Sequence, residues 1–299
     1  MMRAPRIQRG FTLIEAIVVI SITGVIAAIV SIFIVSPVAG YMSSVRHAQM
    51  TDAADASLRR LQREIRLALP NSVRVTDSSG SKNTCATSPC YIEFIPTVSG
   101  ALYRSPGDGS SSGNFLDVAA DPVSYTFDVM GTSGTIPTDW QIVKNASYVV
   151  VYNLGPGFAP QDAYQLNNCA SKGCNIALIT GISGYTLTLG SFPFVEPSPN
   201  NRFQVVPNSG PVSYSCPLTG SGSGAMYRYA GYGFLATQPA PPASTYQETV
   251  ISNATCSVNY SPTTALSRDG ILFVTIVVTD AASGDTVQVF REIHVDNAP

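Results

Sequence analysis

The sequence predicts an α+β protein: a long N-terminal membrane and stalk α-helix followed by a large, β-rich globular head stapled by disulfides. Three observations carry that expectation. Residues 11–35 are an apolar run broken by one charge, residues 45–69 repeat apolar side chains at helical spacing, and the chain beyond Pro70 falls into short strand-like runs between Gly, Ser, Pro and Asn. Composition agrees, since 45% hydrophobic and only 12% charged residues, with 24 Gly, 21 Pro and 14 Tyr, suit a turn-rich β protein better than a helical enzyme. The net charge of −2 leaves no basic surplus for neutralising phosphates, so no nucleic-acid partner is expected.

The first ten residues, MMRAPRIQRG, are polar and cationic, and the apolar run then starts at Phe11. At about 1.5 Å per residue that run spans roughly 37 Å, enough for a hydrocarbon core of about 30 Å. Arg3, Arg6 and Arg9 precede it and none follows soon after, which places the start of the chain in the cytosol. A removable secretory signal would need small residues one and three positions before its cut; the best late site, after Ala39, has Pro37 there instead. Glu15 is the exception inside the run. A carboxylate at that depth costs on the order of 3 kcal/mol and implies a cationic partner.

Pro37 either ends the helix at the membrane surface or kinks a helix that continues, and the next segment favours continuation. Leu58, Leu61, Ile65 and Ala68 or Leu69 make one apolar stripe, expected to pack on the protein's own head. Arg59, Arg63 and Arg66 read as a solvated face, Asp52 and Asp55 suit the start of a helix, and Pro70 closes the pattern. In the head, strands are expected at 91–95, 123–129, 148–153, 176–180, 185–189 and 203–206. The last two, 271–279 and 286–295, form a hairpin across a turn at Asp280–Asp285. Residues 105–114 and 215–224 read as surface loops.

Cys85, Cys90, Cys169, Cys174, Cys216 and Cys256 allow fifteen pairings, among which sequence alone does not choose. Nearest-neighbour pairing is the simplest, worth about 2 kcal/mol for each small loop and about 4 for the largest. A zinc site from the two close pairs is weaker, because structural zinc pairs are spaced more tightly and an exported head meets an oxidising compartment.

No catalytic constellation emerges, and no cofactor or metal is expected. His47 and His294 lie in no recognisable motif, and Gly220–Ala225 matches a dinucleotide fingerprint with no strand before it and no helix after it. Asp108, Asp117 and Asp121 in a glycine-rich stretch lack the spacing of an EF-hand. Tyr227, Tyr229 and Tyr232 are candidate surface aromatics, more in keeping with strand or loop packing.

The run Gly10-Phe11-Thr12-Leu13-Ile14-Glu15 resembles the cleavage and methylation motif of type IV prepilins and pseudopilins. The resemblance implies a leader, residues 1–10, cut by a membrane prepilin peptidase between Gly10 and Phe11, with methylation of the new N-terminus. It makes Glu15 the fifth residue of the mature chain, where the family's glutamate pairs with the terminal amine of an adjacent subunit. It implies a transmembrane helix over 11–36, a stalk helix over 37–70 and a pilin-like periplasmic or extracellular head over 71–299. The stretches LRRLQREIRLALPNSVRV, YIEFIP, YVVVYNLGPG and REIHVDNAP are also similar to the MshO-type minor pilins of mannose-sensitive haemagglutinin (MSHA) pili. J-type pseudopilins of type II secretion share the layout. The implied role is a non-enzymatic subunit in initiation or tip assembly, partnered by minor and major pilins and held in the inner membrane before assembly. A tip adhesin is the contrasting reading.

Overall fold

The computed structural model describes residues 10–109, 112–119, 125–131, 134–169, 173–220, 224–262 and 269–299. Arg3, Arg6, Arg9, Asp121, the start of the strand expected at 123–129 and the centre of the Gly220–Ala225 motif lie outside them. The chain divides into two compact units, Met1–Gln49 and Met50–Pro299.

Helix α1 covers Leu13–Val30, a π-helical segment covers Ser31–Val35, and α2 covers Ser36–Arg66. Pro37 therefore falls in the first turn of α2 and does not end the helix. A proline ring crowds the carbonyl four residues back and offers no N–H, and a wider π turn just before it is one way the backbone makes room. The helix stops at Arg66, short of the expected 69–70. Leu67 and Ala68 donate to carbonyls three residues back, and Leu69 N–H has already left the helix for Ile95 O at 2.7 Å. The residue before Pro70 is barred from helical backbone, so the chain unwinds ahead of it.

Among the described residues thirteen strands, numbered in chain order, form two sheets in the second unit. The larger runs β1 (Arg74–Asp77), β2 (Cys90–Phe94), β9 (Val212–Cys216), β10 (Gly224–Ala230), β11 (Tyr246–Ser261), β12 (Asp269–Thr279) and β13 (Thr286–Asp296). The smaller runs β3 (Ser99–Leu102), β8 (Arg202–Pro207), β5 (Ser147–Val151), β6 (Ile176–Ser183), β7 (Thr186–Leu189) and β4 (Thr126–Asp128). Neighbours are antiparallel throughout.

The stripe of α2 does what its spacing predicts. Ala54, Leu58, Leu61 and Ile65 are buried with Ile92, Tyr214, Met226, Leu272, Val274 and Ile276 of the larger sheet. Each such leucine contributes about 1.5–3 kcal/mol by leaving water. Leu69 joins a different cluster, with Ile95, Val150, Tyr164 and Phe234. In β5, Val149 and Val151 face the core of the smaller sheet while Val150 faces that other cluster. Burial on both faces explains the continuous apolar run YVVVY.

Polar side chains tie the helix end to the sheet. Arg60 holds Glu248 of β11 in a two-pronged pair at 2.7 and 2.6 Å and reaches Glu64 at 3.2 Å, while Arg228 of β10 donates to Glu64 at 2.9 Å. Arg291 of β13 bonds Asp55, and Gln62 at 2.8 Å. Arg59, on the side read as solvated, pairs with Asp55.

Arg74 and Glu93, opposite one another on β1 and β2, form a buried ion pair. The side chain of Glu93 is fully buried and that of Arg74 nearly so. Tyr232 Oη–H donates to Glu93 Oε1 at 2.8 Å, and Arg74 also donates to the carbonyls of Ala236 (2.8 Å) and Leu235 (2.9 Å). Its guanidinium sits 3.6 Å over the Tyr164 ring centre. Burial pushes the Glu93 carboxyl up, and Arg74 opposes the shift. Pair, tyrosines and carbonyls thus form one closed set.

A second polar junction gathers Asn71, Asn153 and Asn297. Asn71 Nδ2 donates to Asn153 O at 2.9 Å and Asn297 O at 3.1 Å, and Asn153 Nδ2 donates to Pro70 O at 2.7 Å. Gly155 lies so close to Asn71 that a Cβ there would stand 2.4 Å from the Asn71 carbonyl oxygen, and its φ of +93° also excludes a side chain. A third organises residues 78–89. Asp77 accepts from the N–H groups of Ser79, Ser81, Ala86 and Thr87 and from Ser79 Oγ, at 2.7–3.0 Å. These bonds, that from the Ser79 hydroxyl foremost, hold its carboxyl well below the usual carboxylate range.

Three disulfides close Cys85–Cys90, Cys169–Cys174 and Cys216–Cys256. Cys90 and Cys216 are cross-strand neighbours on β2 and β9, so two bridges sit side by side in the larger sheet. The loop read at 215–224 is shorter than expected, since β9 runs to Cys216 and β10 starts at Gly224.

Two outcomes test these anchors. Glu93→Gln leaves the Arg74 charge buried without its counter-ion and is expected to lower the unfolding free energy by about 3–5 kcal/mol, read by urea denaturation in detergent. The Asp77 carboxyl is depressed on folding, so its contribution is complete above its unfolded pKa of about 4 and fades as pH falls below that. The urea midpoint should therefore drop from pH 7 to pH 3, and Asp77→Asn should show a flatter dependence.

Candidate functional site

The segment that carries function-bearing chemistry in the sequence is 10–35. Gly10 precedes the helix, fully open, and Phe11 is 72% exposed. Thr12 is the N-cap, in extended backbone, and its Oγ1 accepts from Glu15 N–H at 3.3 Å. A Thr three residues before a Glu is a capping-box signature, a signal the apolar pattern overshadows in the sequence. Glu15 stands in the first turn, where the helix dipole favours an anion.

From Leu13 to Val30 the only ionisable side chain is Glu15, and none of the helix residues is buried. The few hydroxyls turn inward along the backbone. Ser21 Oγ donates to Ile17 O at 2.8 Å and Thr23 Oγ1 to Val19 O at 2.7 Å, so each is satisfied without water. Among the described residues this is the one helix long and apolar enough to cross a membrane. Apolar side chains all round, with self-satisfied hydroxyls, describe a helix adapted to lipid or to other helices.

Residues 5–31 match the prokaryotic N-terminal methylation motif. The match covers Gly10, Phe11 and Glu15 and the whole of α1. The motif implies processing by a prepilin peptidase and assembly with other pilins, and it points to a structural subunit rather than an enzyme. The apolar helix agrees with a membrane-anchored pilin. No curated protein and no solved structure matches the chain.

The other sequence candidates land apart. His47 Nδ1 lies 2.9 Å from Ser43 O on its own helix, and His294 Nε2 lies 3.2 Å from Glu292 on its own strand. Asp108 pairs with Arg104 at 3.0 Å, whereas Asp117 accepts from Ala119 N–H, so they are committed separately. Tyr227 and Tyr229 are on β10, while Tyr232 lies beyond it and bonds Glu93. Every cysteine among the described residues is bridged, which leaves no thiolate for a metal. The pairs of Arg60 with Glu248, Arg74 with Glu93, Arg228 with Glu64 and Arg291 with Asp55 escape the sequence reading, because these partners lie 19 or more residues away.

Removing the Thr12 hydroxyl tests the cap. Thr12→Ala is expected to cost the first turn about 1 kcal/mol and to speed amide exchange at residues 13–16 in micelles, leaving residues 20–30 unchanged.

Proposed function

We propose that this chain is a minor, low-copy subunit of a type IV pilus of MSHA type, acting in initiation or tip assembly. The methylation motif on an apolar helix carrying the single charge Glu15 is the observation that carries the reading. Residues 1–10 are its leader, cut between Gly10 and Phe11 with methylation of Phe11; 11–36 span the inner membrane, 37–70 form the stalk and 71–299 the periplasmic head. Cleavage creates an amine at Phe11, and in lipid that amine and the Glu15 carboxylate each need a counter-ion. Pairing the amine of one subunit with Glu15 of the next satisfies both and sets their axial register.

Two features support the finer assignment. Residues 50–299 form one large unit, more than a compact repeating fibre subunit requires. The stretches similar to MshO-type minor pilins also converge: the one ending in NSVRV supplies Asn71 and Arg74, YIEFIP supplies Glu93, YVVVYNLGPG supplies Asn153 and Gly155, and REIHVDNAP supplies Asn297. Scattered in sequence, they supply the Arg74–Glu93 pair and the Asn71–Asn153–Asn297 junction, two of the three polar junctions described above.

Glu15→Ala should leave membrane insertion intact and reduce incorporation into surface fibres by about tenfold or more, the equivalent of at least about 1.4 kcal/mol. An in-frame deletion should abolish fibres and leave protein secretion normal. Intact fibres with failed secretion would move the chain to the J-type pseudopilins. If both stayed intact, a ligand-binding role of the head would replace assembly.

A further inference from the structure

Strand β13 is one edge of the larger sheet: among the described residues it pairs with β12 alone. Its pairing with β12 is unbroken from Asp269 opposite Asp296 to Thr279 opposite Thr286. Exposed edges are usually blunted by brevity, proline, bulges or free charges. This one is eleven residues long, TVQVFREIHVD, with no proline, glycine or bulge. Its central charges are engaged, since Arg291 is bonded to Asp55 and Gln62 and Glu292 lies 3.2 Å from His294 on the same strand.

The face beside this edge is also distinctive. Over β1 and β2 the outer face of the sheet is covered by residues 232–238, through the bonds of Tyr232 to Glu93, Arg74 to Leu235 and Ala236, and Gln238 to Tyr91. On β12 and β13 the same alternation leaves Ile271, Phe273 and Val277 only half-buried and Phe290 57% exposed. Phe273 and Phe290 stack with ring centres 6.1 Å apart and planes at 17°. An aromatic stack therefore ends at an open strand edge.

We propose that β13 is a self-association edge, along which two copies of this chain join antiparallel about a two-fold axis at Phe290. Charge and strand length together select that register. Directly opposed residues in an antiparallel pair share a face, so the axis lies on one residue of the strand. With Phe290 on the axis, Glu292 opposes Gln288, His294 opposes Thr286 and Arg291 opposes Val289, and no like charges meet. An axis at Arg291 sets arginine against arginine, one at Glu292 sets carboxylate against carboxylate, and those at Val289 and Ile293 shorten the paired segment from 286–294 to 286–292 and 290–296. The Phe290 axis alone places both exposed rings together, extending each Phe273–Phe290 stack into its mate. The occupant is a second copy because the edge is complementary to itself. The inference stands on the sheet edge and does not rest on the pilin reading.

The test uses the full chain in detergent, with mass measured by sedimentation. The wild type should be dimeric at micromolar concentration. Phe290→Glu and Phe290→Lys each place like charges on the axis and should weaken dimerisation by about tenfold or more. Phe290 is exposed, so both variants should still unfold cooperatively, their urea midpoints lowered alike and only modestly by loss of the Phe273 stack. An equimolar mixture of the two should recover the dimer, because only a residue that meets its own counterpart is rescued by the opposite charge. A monomeric wild type, a dimer indifferent to Phe290→Glu, or a mixture that stays monomeric would each overturn the proposal. Dimerisation through α1 would appear as the second of these.

Discussion

One constraint governs this molecule: eighteen residues of helix, Leu13–Val30, present apolar side chains in every direction and none of them is buried. Such a surface is not stable in water and must be covered by lipid or by other helices. The inward-turned hydroxyls of Ser21 and Thr23 meet the same condition, because in hydrocarbon a donor that cannot bond its own helix has no other partner. Glu15 is the deliberate violation. Its cost is tolerable in the first turn, three residues past the N-cap Thr12, where the helix dipole favours an anion.

The second unit solves a different problem with different means. Its core rests on the apolar stripe of α2 from Ala54 to Ile65, laid on a seven-stranded sheet. The outer face of that sheet carries an ion pair that burial alone would penalise. Arg74 and Glu93 offset this by filling nearly every bonding direction: a tyrosine hydroxyl, two carbonyls and an aromatic face complete the set. The polar junctions at Asn71 and Asp77 follow the same logic, with one side chain satisfying several backbone groups that no regular element pairs. Few charges are present, and Arg60, Arg74, Arg228 and Arg291 are placed at crossings of the chain.

The elements legible in the sequence are those whose signal is local. The α2 stripe, the hairpin of β12 and β13 and the twin-faced β5 follow from side-chain periodicity over a few residues. Strand β11 was missed although it spans sixteen residues, because YQETVISNATCSVNYS alternates small polar residues with few aliphatics and bends at Asn253, whose φ is +53°. Strands β1 and β9 were missed for being short and polar, RVTD and VSYSC. Val75 of β1 and Val212, Tyr214 and Cys216 of β9 are buried against the α2 stripe, and Arg74 of β1 lies over the Tyr164 ring, contacts that no local pattern reveals. At the N-terminus the processing motif was readable because it is contiguous, whereas the partners of Arg60 and Arg74 lie 188 and 19 residues away.

The most direct test of the account is the chemical identity of the N-terminus of the protein recovered from its native membrane, read by mass spectrometry of the N-terminal peptide. The account predicts a chain that lacks residues 1–10 and begins at N-methylated Phe11. An uncut start at Met1, or a terminus beyond the apolar run near Ala39, would contradict it.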